Sequence, residues 1–240
     1  MKYIELISVL LLAGLSQGCV INMTPEAKLG GDAVPPRAAV NFSDPVLNQR
    51  RILLFGEITE AVAEQTIQQL FYLDAQKNDP IDMYLMTPGG DFSSTFAIEN
   101  AMQLIHARIN TYAFSECNSG GAVLLAAGTG ERAAFRGAIV VIHGLDIQGK
   151  PSGEFKEFVD GGHAYNTAFW RRRARLPSQW LPIPSKAVHV LTAEQALEYG
   201  VVDKIIDRQA KIAEPDGAAN ESQPIRSETN STSSAAGSRR

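Results

Sequence analysis

The chain has 240 residues, 45% of them hydrophobic and 20% charged, and a net charge of −4 at pH 7. This composition suits one globular domain with some unstructured sequence, and the acidic balance gives no electrostatic case for a nucleic acid partner. Four histidines and two cysteines, with no CxxC or HxxxH pair among them, offer no metal-binding pattern, so neither a metal nor a cofactor is expected.

Residues 1–19 read as an export signal. Lys2 precedes an apolar run from Ile4 to Leu15 that is broken only by Glu5, Ser8 and Gly14. The run is short for a membrane span, which needs about 20 apolar residues, and suits a signal-peptide core. It ends Leu15-Ser16-Gln17-Gly18-Cys19. A small residue before a cysteine resembles a bacterial lipobox, so Cys19 is the expected lipidation site and the mature chain is expected on a membrane of the cell envelope. Ser16 and Gln17 depart from that pattern, and a plainly cleaved signal is the alternative. With Cys19 acylated, Cys117 is the remaining thiol and no internal disulfide can form. Residues 20–49, with Pro25, Pro35, Pro36, Pro45 and Gly30-Gly31, read as a tether.

The folded domain is expected over residues 50–210. Residues 51–58 (RILLFGEI) are a short apolar strand, and Val62, Ile67, Leu70, Phe71 and Leu73 then recur at helical spacing. A strand at 81–86 (IDMYLM) is closed by Thr87-Pro88-Gly89-Gly90-Asp91, and 92–107 repeats the helical pattern. Residues 109–114 form a third strand. Residues 120–128 are small and apolar, as in a buried helix, and 139–142 are another strand. A helical arm at 153–175 ends in Arg171, Arg172, Arg173 and Arg175, followed by a loop with Pro177, Pro182 and Pro184. Thr192 and Gln195 form a capping-box helix start, Gly200 a helix stop, and 201–206 a last strand. Residues 211–240 hold too few large apolar side chains to order themselves. Strands and helices alternating in this way indicate a parallel α/β sheet with right-handed crossovers, whose sites form at the carboxyl ends of strands. The Gly89-Gly90 turn, the Cys117-Asn118-Ser119 turn and His143 all lie there.

Read singly, these residues are ambiguous. Ser119, between a strand and a helix of small residues, is either a nucleophile in the positive field of a helix start or an ordinary N-cap. Gly89-Gly90 makes a tight strand-to-helix turn, and a histidine ending a strand is often structural. Taken together, Thr87-Pro-Gly-Gly90, TYAFSECNSGGAVLLA (111–126), IVVIH (139–143) and LTAEQALEYGVVD (191–203) resemble the proteolytic subunit of Clp protease in order and approximate separation.

That resemblance covers about residues 50–206. It implies the α/β spiral of ββα units shared with the crotonase superfamily, carrying a helical arm. It also implies Ser119 as nucleophile, His143 as general base, and the N–H groups of Gly90 and Gly120 as oxyanion hole. Peptides or unfolded proteins are the implied substrates, and a homo-oligomer the implied assembly. The chain departs from the family at three places: Gly120 replaces a usual methionine, Gly144-Leu145 replaces Gln-Pro, and the catalytic aspartate falls on Pro184. Ser185, Asn166 and Asp160 stand as possible substitutes for that aspartate. Cys117 is expected to be a packing thiol. An exported chain meets no ATP and its arm is short, so no Clp ATPase partner is expected and the peptidase would be ATP-independent. Two rival readings are a catalytically degenerate binding lipoprotein and a crotonase-type acyl-CoA enzyme, which export argues against.

Overall fold

The computed structural model describes residues 40–145, 153–184 and 186–207. The signal, Cys19, most of the tether, Ser185 and the tail lie outside the described residues. Order begins before residue 50. Asp44 accepts from the Val46 N–H and Pro45 occupies the start of α1 (Pro45–Asn48), which puts Leu47 in the core at 2% exposure. Residues 45–49 therefore belong to the folded unit and not to the tether. A four-residue helix with one buried side chain has no period that sequence can show.

Strand β1 (Arg51–Phe55), helix α2 (Glu60–Gln76), β2 (Ile81–Thr87), α3 (Phe92–Leu104) and β3 (Ile109–Asn118) follow the expected alternation. Thr59 and Asp91 cap α2 and α3 by accepting from the N–H groups of Val62 and Ser94. Then come α4 (Gly120–Ala127), β4 (Arg132–Phe135), β5 (Ile139–His143), α5 (Gly153–Arg173), β6 (Val188–Thr192), α6 (Ala193–Glu198) and β7 (Lys204–Ile206). Strands β1-β2-β3-β4-β7 pair in that order, all parallel. β5 runs parallel to the end of β3, and β6 is antiparallel to β5. The fold is thus a mixed α/β structure around a mostly parallel sheet with a helical arm. Two of these strands escape the sequence pattern. β4 (RAAF) is four residues long and half alanine, and β6 exposes both valines while turning His189 and Leu191 inward, so neither shows apolar-in, polar-out alternation in its sequence.

All eight residues of α4 are buried, and the small side chains of GGAVLLAA let the sheet and α3 close around it. The opposite face of the sheet is aromatic and open. Leu53, Phe55, Met86 and Phe114 are exposed there, Tyr84 stacks on Tyr112 at 4.9 Å, and Phe114 meets Phe135 at 5.0 Å. No helix among the described residues is long and apolar enough to cross a membrane.

Candidate active site

β3 is long enough to serve two neighbours. Its first half pairs with β4 (Thr111–Ala113 against Arg132–Ala134), and its end pairs with β5 (Glu116–Asn118 against Ile139–Val141). This fork carries Ser119 and His143 to the carboxyl ends of adjacent parallel strands, where α/β sheets place their sites.

Ser119 has φ 54° and ψ −116°, a conformation that costs a non-glycine residue about 1–3 kcal/mol. It is pinned from both sides: its N–H donates to Val141 O at 2.8 Å, and its carbonyl accepts from the Val123 N–H at 3.2 Å. An N-cap serine has extended backbone and spends its Oγ on an N–H of the first turn. Ser119 does neither, and its hydroxyl makes no capping bond.

The Gly89-Gly90 turn lies against this residue. Ile58 donates to Gly89 O and accepts from the Asp91 N–H, both at 2.8 Å, a bridge that makes no use of the Gly90 N–H. Gly89, at φ 97°, approaches so closely that a Cβ there would stand 2.7 Å from Asn118 O and Ser119 Cβ and 3.1 Å from Gly120 N. Gly120 opens α4, where helix geometry provides no internal acceptor for an N–H. A hydroxyl with no hydrogen bond among the described residues and two donor-bearing segments are therefore packed side by side.

His143 ends β5, half-buried, and lines one narrow cleft together with Ser119 and Gly120. Phe92, Phe96, Val123, Leu145 and Trp170 make the cleft largely apolar. Asn166 on α5 adds a polar group that is 6% exposed and makes no hydrogen bond among the described residues. His143 Nδ1 lies 2.5 Å from Gly144 O. No hydrogen bond joins Ser119 Oγ to His143 among the described residues. Such bonds are often long before substrate binds.

A family model of Clp protease matches residues 36–159, which include Gly90, Ser119, Gly120 and His143. The chain belongs to the Clp protease family. It is 34% identical over 181 residues to the ATP-dependent Clp protease proteolytic subunit 2 of Corynebacterium jeikeium, covering 70% of this chain and 83% of that one. Subunit 1 of Mycolicibacterium paratuberculosis is 32% identical over 170 residues, covering 67% and 81%. Subunit 2 of Mycobacterium tuberculosis is 31% identical over 170 residues, covering 67% and 79%. Family membership brings a serine peptidase-like function with it.

The departures from the Clp protease pattern have visible causes. A Cβ on Gly120 would lie 2.4 Å from Thr95 Oγ1, so the usual methionine has no room. Pro184 lies against Gly144, the residue after the histidine: its carbonyl would be 2.5 Å from a Cβ on Gly144. The residue that the sheet sets opposite His143, however, is Val188. Opposed residues of an antiparallel pair put their side chains on one face, about 5 Å apart. Val188 was missed because β6 was missed, and without β6 nothing pairs with His143. Asp160 is exposed and paired with Lys156 on the arm. Cys117 is wholly buried and directs its Sγ at Leu85 O, and desolvation pushes its thiol far above the ordinary range, so it is no nucleophile. Among the described residues no cluster of histidine, cysteine and carboxylate groups could hold a metal.

Proposed function

We propose that this chain is an ATP-independent serine peptidase of the cell envelope, with Ser119 as nucleophile and His143 as base. The observation that carries the reading is the backbone of Ser119. It is forced to positive φ, has an uncommitted hydroxyl, and faces the same cleft as His143. His143 would take the Ser119 proton as Oγ attacks a substrate carbonyl. The resulting oxyanion would sit against the N–H groups of Gly90 and Gly120. Collapse of that intermediate breaks the C–N bond: the amine takes the proton back from His143 and leaves, and the acyl-enzyme is then hydrolysed by water that gives its proton to His143, releasing the acid and restoring the Ser119 hydroxyl. The aromatic and aliphatic wall of the cleft suits an apolar side chain beside the scissile bond.

The direct assay is hydrolysis of fluorogenic peptides with apolar residues before the reporter, without nucleotide. Activity lost by at least about 10³-fold in both Ser119→Ala and His143→Ala supports the reading. Equal turnover by either variant would sink it.

The second reading is a degenerate binding protein that keeps the groove, and the aliphatic Val188 opposite His143 favours it. Peptide binding without turnover would select it.

Envelope location rests on the signal-like residues 1–19, with Cys19 as the acylated residue. Incorporation of labelled palmitate that is lost in Cys19→Ser would support this, and unlabelled protein in the soluble fraction would count against it. Assembly into a homo-oligomer, with no Clp ATPase, is part of the same proposal. The open aromatic sheet face and the relatives named as subunits support self-association.

A further inference from the structure

A serine–histidine pair needs the imidazole held with a proton on the far nitrogen and a lone pair toward the serine. Which nitrogen carries the proton is set by what the other one bonds. In this chain the partner of Nδ1 is the main-chain carbonyl of Gly144, 2.5 Å away. A carbonyl has no proton to give, so the ring must be the donor. Nδ1 is then the N–H, and Nε2 keeps the lone pair that accepts a proton.

The residue that carries this carbonyl is tightly packed. Gly144 is buried against the 181–184 loop, and a Cβ on it would stand 2.5 Å from Pro184 O and 2.7 Å from Ile183 O. The other side chain that the sheet brings to His143 is Val188, 52% exposed and without an acceptor. Asn166 shares the cleft, but its amide makes no bond to the ring among the described residues.

We infer that the Gly144 main-chain carbonyl is the positioning group for His143, standing in for a carboxylate, so that Ser119 and His143 work as a dyad. This rests on the peptidase reading only for its consequence, since the tautomer can be read in a protein that hydrolyses nothing. A neutral carbonyl fixes the ring but adds no charge to stabilise the imidazolium formed during attack, and charge-assisted hydrogen bonds are about twice as strong as neutral ones. The dyad is therefore slower than it would be with a carboxylate at the Val188 position.

The test is ¹⁵N spectroscopy of the full chain labelled at histidine, with His143→Gln to assign the signal. The expected result at a pH where the ring is neutral is a protonated Nδ1 and a bare Nε2. In Gly144→Ala the His143 signals should move toward a mixture of tautomers, with those of distant His106 unchanged. A protonated Nε2 with bare Nδ1 in the parent chain would overturn the inference. The second arm is Val188→Asp, assayed on an activated p-nitrophenyl ester. A rise of at least about tenfold in the acylation rate, dependent on Ser119, is expected. An unchanged rate in folded Val188→Asp would overturn the claim that a stronger orienter is missing there. If no ester is cleaved by either protein while the Nδ1–H tautomer is present, the peptidase reading fails and the positioning role stands.

Discussion

Gly120 and Thr95 form one unit at the residue scale. Thr95 Oγ1 donates to Asp91 O at 2.8 Å and fills the space where a side chain at 120 would begin. Gly120→Met, which restores the family's usual residue, should destabilise the chain by roughly 1–3 kcal/mol through overpacking. It should also slow acylation by shifting the N–H at the start of α4. Thr95→Gly in the same chain should recover much of both. Thermal melts and acylation rates of the single and double variants measure the coupling, and strict additivity would show that the two residues do not compete for this space. What sequence revealed here was the identity of the candidates, because the motif residues are contiguous. The strained φ of Ser119 was not legible, since it depends on Val141, which takes hold of the residue only after β3 and β5 have paired. That no carboxylate stands opposite His143 among the described residues was only half legible. The sequence showed a proline at the family's position, but the residue in register with His143 belongs to an unrecognised strand.

At the scale of elements, β6 decides what faces His143, and a ring stack secures β6. Trp180, in the 3-10 turn Ser178–Trp180, lies over His189 at 3.8 Å and 9°. His189 stands in register with Ile142, one residue from the His143–Val188 pair. Burial lowers the His189 pKa from its ordinary 6.5. The unfolded chain therefore binds more protons than the folded chain between the folded and unfolded values. Stability from this residue is present above about pH 6.5 and is lost as pH falls through the lower folded value. Urea melts of the parent chain should weaken across that window, and His189→Phe, which keeps a ring and cannot titrate, should flatten the change. An identical pH dependence in the variant would remove His189 from the account. The long periodic helices α2 and α3 were plain in sequence because each turn repeats the same apolar face. β4 and β6 were hidden because pairing with a neighbour holds them, β4 without alternation and β6 with valines on its exposed positions.

For the whole molecule, the sheet divides the chain into a helix-covered side that builds the cleft and an aromatic side that nothing covers among the described residues. Parallel sheets usually have both faces covered. Phe114 sits at the middle of the open face, touching Phe55, Tyr84 and Phe135. If this face is the contact in a homo-oligomer, Phe114→Asp should shift the sedimentation profile toward monomer while leaving the fold intact by circular dichroism. An unchanged profile would move the contact elsewhere. The measurement that bears most directly on the whole account is labelling of the full chain by a fluorophosphonate probe, which reacts only with an activated serine. The account predicts stoichiometric labelling that disappears in Ser119→Ala and falls at least about 10³-fold in rate in His143→Ala. A folded, correctly assembled protein that remains unlabelled would contradict it, and the cleft would then be a binding groove and not an active site.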